Sequence, residues 1–100
     1  MRENGATALS TVPLPPGADT TTTWEEWDHT CRVVWTRETD VAGIKVTGSA
    51  IQFPDGSIDA GTEEPPLVTV GELQFTTHQA RELAAAIVAT AELIGVWVTR

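Results

Sequence analysis

His29 and Cys31 stand two residues apart, a spacing that puts both on one face of an extended strand. Imidazole and thiolate are zinc ligands, but a zinc site takes three or four donors. The other soft donor is His78, and carboxylates such as Asp28 would have to complete a set that no spacing demands. Cys31 as a small core residue and His29 at a sheet rim account for both without a metal. Cys31 and His78 would also make a nucleophile pair, which needs a lowered thiol pKa and an accessible position. The sequence shows neither. It has no Gly-rich phosphate loop and no G-x-S-x-G. The pairs Glu25–Glu26 and Glu63–Glu64 are ordinary in so acidic a chain. The expectation is a non-enzymatic protein with no catalytic residue, no cofactor and no metal.

The segment Trp24-Glu25-Glu26-Trp27-Asp28 suggests binding instead. Tryptophan is enriched at interaction hot spots, where an aromatic anchor sits inside a polar rim. These five residues are the expected partner-binding site, suited to a protein with a basic surface. The plainer alternative is that both tryptophans seal the edge of the core. Asp55, Asp59, Glu63 and Glu64 form a second acidic run, read as a solvated loop.

The whole chain carries six bases against fourteen acids, a formal net charge of −8. It repels phosphate backbones and anionic lipid, so neither nucleic acid nor membrane is an expected partner. A single cysteine rules out an internal disulfide and suits a reducing compartment. No apolar run has signal-peptide or membrane-spanning character, and the expected location is cytoplasmic.

These residues need elements to hold them. Residues 1–23 hold Pro13, Pro15, Pro16, two glycines and the run Thr20 to Thr23, with few large apolar side chains. They read as a disordered tail. The α+β domain is expected over residues 24–100. Alternation from Trp27 to Trp35 predicts a half-buried strand, and Arg37 to Gly43 a polar connection with Asp40 and Gly43 as turn formers. Ile44 to Phe53 predicts a second strand whose apolar parity switches at Gly48, a sign of a bulge. Pro54-Asp55-Gly56 predicts a hairpin turn, with a short strand from Ser57 to Ala60. Leu67 to Phe75 predicts a further strand with a bulge at Gly71. Thr76 and Gln79 form a capping box. A helix follows with the stripe Ala80, Leu83, Ala84, Ile87, Ala91 and Ile94, closed by Gly95. Val96 to Arg100 reads as an extended tail, and no coiled-coil heptad stands out. The expected fold is therefore an antiparallel meander of about four strands. One C-terminal helix would cover one face, with Leu83 and Ile87 buried beneath it.

Trp35-Thr-Arg37, Gln52-Phe-Pro-Asp-Gly56 and Thr76-Thr-His-Gln-Ala-Arg-Glu-Leu-Ala-Ala-Ala86 resemble small uncharacterised proteins of actinobacteria and mycobacteriophages. In those proteins a strand-rich part similarly precedes a T-x-x-Q-A-R-x-L-A helix. The resemblance spans roughly residues 32–94. It implies an α+β fold and an actinobacterial or phage origin, and it carries no activity or site residue.

The function expected is a protein–protein interaction module, such as a phage-encoded modulator of a host protein. One alternative is a structural, self-associating homodimer joined through an uncovered sheet face or the Val96–Val98 edge. Another is a small hydrolase or ligand-binding domain.

Overall fold

The computed structural model describes residues 12–26 and 30–98. Among the described residues, seven strands precede one helix: β1 (Ala18–Thr21), β2 (Glu25–Glu26), β3 (Thr30–Thr36), β4 (Thr39–Val41), β5 (Ile44–Gln52), β6 (Leu67–Val70), β7 (Leu73–Thr76) and α1 (Thr77–Val98). Every pairing is antiparallel. β1 and β2 run end to end beside β3, and β4 prolongs β3 beside β5. β6 and β7 follow in order. The protein is thus α+β, an antiparallel meander and then a C-terminal helix, as its residue patterns predict.

β3 and β5 hold the centre. Arg32 pairs with Gln52 and Val34 with Ala50 on one face, while Val33 meets Ile51 and Trp35 meets Ser49 on the other. The fully apolar core is small: Cys31, Val34 and Ile51 are buried, beside the polar Arg32, Gln52 and Asp59.

The turns explain why some strands differ from expectation. Arg37 to Gly43 is more than a connection, because Thr39–Val41 forms β4. Ala42 and Gly43 both have positive φ, at 55° and 83°. That is the conformation that closes a two-residue hairpin onto Ile44. The Asp40 carboxylate accepts from the Gly43 N–H at 3.0 Å and holds the turn. The irregularity expected at Gly48 lies in the neighbouring strand. Trp35 pairs with Ser49 but Thr39 with Val46, so the extra residue sits at Arg37–Glu38. Gly48 is needed for another reason: a Cβ there would stand 3.1 Å from the Thr36 methyl.

Leu67 to Phe75 is a hairpin rather than one bulged strand. Val70 pairs with Leu73, and Gly71 turns at φ 62° between them. A parity switch at glycine has the same signature in a bulge and in a two-residue turn. The Pro54-Asp55-Gly56 turn forms as expected, with the Gly56 N–H donating to Phe53 O at 2.9 Å. The strand beyond it shrinks to one bridge between Gln52 and Ile58.

Two boundaries move. The ordered part does not start at Trp24, since Ala18–Thr21 pairs with β3 inside the stretch read as tail. Threonines are good strand residues at a solvated edge, and their polarity hides them from a search for apolar content. Residues 1–11 lie outside the described part. At the other end α1 runs through Gly95 to Val98, so Val96–Val98 is helical and not extended.

The helix does not cover the sheet. Among the described residues it has no buried side chain, and the strands it touches are β7 and β6. Ala80 and Leu83 are half-buried near its base, while Ile87 is 60% exposed. The cause is the junction. Thr76 ends β7 and caps the helix, and Thr77 begins it, so no loop exists to fold the helix back over the strands. The helix therefore projects from the end of the sheet. The chain spans 71 × 23 × 21 Å with a radius of gyration of 18.1 Å, against ~13 Å for a compact chain of this length.

Candidate functional site

Of the five expected partner-binding residues, Trp24, Glu25 and Glu26 are described; Trp27 and Asp28, together with His29, lie outside the described residues. Trp24 is half-buried, and the Arg32 guanidinium lies over its ring at 4.5 Å from the centroid. Glu25 and Glu26 are exposed on β2, opposite Cys31 and Thr30. Thr30 donates its hydroxyl to Glu26 Oε1 at 2.6 Å.

Arg32 organises what lies beneath Trp24. Its Nε donates to Gln52 Oε1 at 2.7 Å and its Nη2 to Val12 O at 3.0 Å. The Gln52 amide in turn donates to Pro13 O at 3.0 Å and Gly56 O at 3.2 Å. A buried guanidinium is tolerated only when its donors are met. Here acceptors on β5 and on the Val12–Pro13 segment meet them, and an aromatic face covers the cation. The cluster ties the N-terminal segment to the centre of the sheet. Val12, Pro13 and Gln52 carry no chemical signal in sequence; the register of β3 against β5 brings Gln52 to Arg32, and the segment leading into β1 brings the Val12 and Pro13 carbonyls.

Cys31 is buried, at 1% exposure. Burial pushes its thiol pKa up, and the carboxylates of Glu63, Glu25, Glu26 and Asp59 push it further. A thiol so placed is a poor nucleophile at neutral pH. His78, the other half of the imagined pair, sits on the first turn of α1 with its Nε2 3.4 Å from Glu82 Oε1, both largely exposed. Among the described residues, no three His, Cys, Asp or Glu side chains are grouped to hold a metal ion.

Asp59 is the remaining buried polar group. Its carboxylate accepts backbone N–H groups from Gly61, Thr62, Glu63 and Glu64 at 2.7–3.1 Å. These bonds, Gly61's foremost, draw its pKa down to about 2 although burial opposes them. Asp59 thus holds the acidic loop as an internal anion cap.

Two of the open surfaces are apolar. On α1, Ile87, Val88, Leu93, Ile94, Val96, Trp97 and Val98 are all exposed, Trp97 at 63% and Val98 at 86%. At the helix base a cavity of about 370 Å³ opens on the sheet, lined by Pro15, Val34, Ala50, Ile58, Val68 and Thr77 among others. The sequence shows this helix's stripe clearly but places it against the sheet. The missing loop at Thr76–Thr77 is the signal that places it elsewhere.

No family model, curated protein or solved structure matches this chain. Among the described residues, no helix is long and apolar enough to cross a membrane.

Proposed function

We propose that the chain is a non-enzymatic protein–protein interaction module whose adhesive surface is the outer part of α1. One observation carries this: the helix projects from the sheet with its large apolar side chains uncovered. Between Leu83 and Val98 the polar side chains are Thr90 and Glu92 alone. A helix apolar around most of its circumference is ordinarily buried on several sides. Exposed apolar patches beyond a few hundred Å² mark interaction sites. The acidic head, with Glu25 and Glu26 exposed on β2, disfavours nucleic acid and anionic lipid as the covering surface. Trp24 serves mainly to cover Arg32, which leaves the helix as the stronger contact surface.

The test is the double variant Ile87→Asp/Ile94→Asp, with its fold checked by circular dichroism. Association is measured in two ways, by sedimentation of the pure chain and by capture from an actinobacterial lysate. The wild type should associate in at least one, and the variant in neither. A variant that associates as the wild type does would remove the helix from the interface.

A further inference from the structure

We infer that Asp55–Gly56 is a site of spontaneous conversion to isoaspartate. The native turn restrains the conversion, and conversion in turn loosens the tie between this turn and Gln52.

The chemistry follows from the residue pair. Asp19, Asp28, Asp40 and Asp59 precede Thr20, His29, Val41 and Ala60, whose Cβ atoms shield the backbone nitrogen. Asp55 precedes glycine, which has no such shield. Asp55 is exposed, so water reaches it. With its carboxyl protonated, Gly56 N gives up its proton and attacks Asp55 Cγ. A C–N bond forms and the carboxyl hydroxyl leaves with that proton as water. The product is a cyclic succinimide, and water then opens it at either carbonyl. One opening restores aspartate. The other leaves the main chain running through Asp55 Cγ, with the former backbone carbonyl as a free carboxylate. The conversion needs no oxidant and ends with mass and charge unchanged.

The turn holds both reacting groups in their unreactive forms. The Gly56 N–H donates to Phe53 O at 2.9 Å, so the attacking nitrogen keeps its proton in a backbone bond. Asp55 Oδ1 accepts from Ser57 Oγ at 2.6 Å and from the Ser57 N–H at 2.8 Å. These bonds, the side-chain one foremost, hold the Asp55 carboxyl below its ordinary pKa. An ionised carboxyl is the poorer electrophile. The Phe53 N–H closes the hairpin on Ser57 O at 2.9 Å. Conversion therefore waits for the turn to open.

The consequence reaches inward. Isoaspartate lengthens the main chain between Phe53 and Gly56, and the turn loses the spacing that joins Gly56 N–H to Phe53 O. Gly56 O lies just past the insertion and accepts from Gln52 Nε2 at 3.2 Å. Gln52 Oε1 in turn accepts from Arg32 Nε at 2.7 Å. A change at one exposed residue thus slackens the buried cluster at the centre of the sheet.

The test incubates the full chain near neutral pH, folded and in guanidinium chloride. Isoaspartate is read at Asp55 by isoaspartyl methyltransferase labelling and peptide mapping. Mapping keeps it apart from Asn4–Gly5, which reacts by the same route. The unfolded chain should convert, and the folded chain at least ~10-fold more slowly, since the turn must first open. Ser57→Ala should narrow that gap. Asp55→Glu, which would have to close a larger ring, should abolish the signal. The converted chain, purified and folded, should melt several degrees below the unconverted one. An unfolded chain that forms no isoaspartate at Asp55 overturns the site. Equal rates in the folded and unfolded chains overturn the restraint, and an unchanged Tm overturns the link to Gln52.

Discussion

At the residue scale, two buried polar groups do what a larger apolar core would otherwise do. Asp59 is ionised at neutral pH and satisfies four N–H groups that the loop cannot bond within itself. Its folded pKa, about 2, lies below the ordinary 3.8. Such a group stabilises the fold above the unfolded value, and that contribution fades as pH falls from about 4 towards 2. Acid titration of Tm should therefore show a loss across that window. Asp59→Asn should lower Tm at pH 7 and flatten the acid limb, because an amide nitrogen cannot accept from Glu63 and Glu64. A parallel titration with an unchanged acid limb would give the loss to other carboxylates. Trp24→Ala should destabilise the domain by at least the ~0.5–2 kcal/mol of a cation–π contact, with Trp24→Phe retaining part of it. A denaturant melt unchanged by Trp24→Ala would mean that Arg32 does not depend on the ring.

At the element scale, the helix is held by its start rather than by its face. Thr76 Oγ1 accepts from the Gln79 N–H at 3.2 Å, and Gln79 Oε1 accepts from the Thr76 N–H at 3.0 Å. Thr76→Ala should cost ~0.5–2 kcal/mol. Gly95 lies within the helix, and a Cβ there meets nothing within 4 Å. Gly95→Ala should thus raise stability by ~0.5–1 kcal/mol, read as a shift in the denaturant midpoint. Ile51→Ala, in the core, should cost ~2–5 kcal/mol, whereas Ile87→Ala in the dilute monomer should stay within about 0.5 kcal/mol. These elements also mark how far the residues alone lead. The capping box, the Pro54-Asp55-Gly56 turn and the alternation in β3 are local patterns, and each forms where its pattern lies. β1 was hidden because an edge strand of threonines needs only a neighbour's hydrogen bonds. The Gly71 hairpin was hidden because glycine marks a turn and a bulge alike. The place of α1 turned on an absent loop, which no residue type advertises. The Arg32 cluster depends on contacts some twenty residues apart in sequence and is invisible to any local pattern.

At the scale of the whole molecule, the N-terminal segment belongs to the fold. Deleting residues through Thr21 would strip β1 from β3 and remove the Val12 and Pro13 carbonyls from Arg32 and Gln52. Tm should fall by several degrees, and an unchanged value would show that the sheet stands without its first strand. The head is thus a small sheet tied at its N-terminal edge by polar bonds and extended at the other edge by one bare helix. That outline also governs the protein's passage through water. A particle 71 Å long and little more than 20 Å wide meets more friction than a sphere of the same 10.7 kDa. On a gel-filtration column the lone chain will emerge early, where a compact globule of greater mass would run. Its elution volume reports shape before it reports stoichiometry, so only a measurement of mass itself, by equilibrium sedimentation or light scattering, separates one long chain from two.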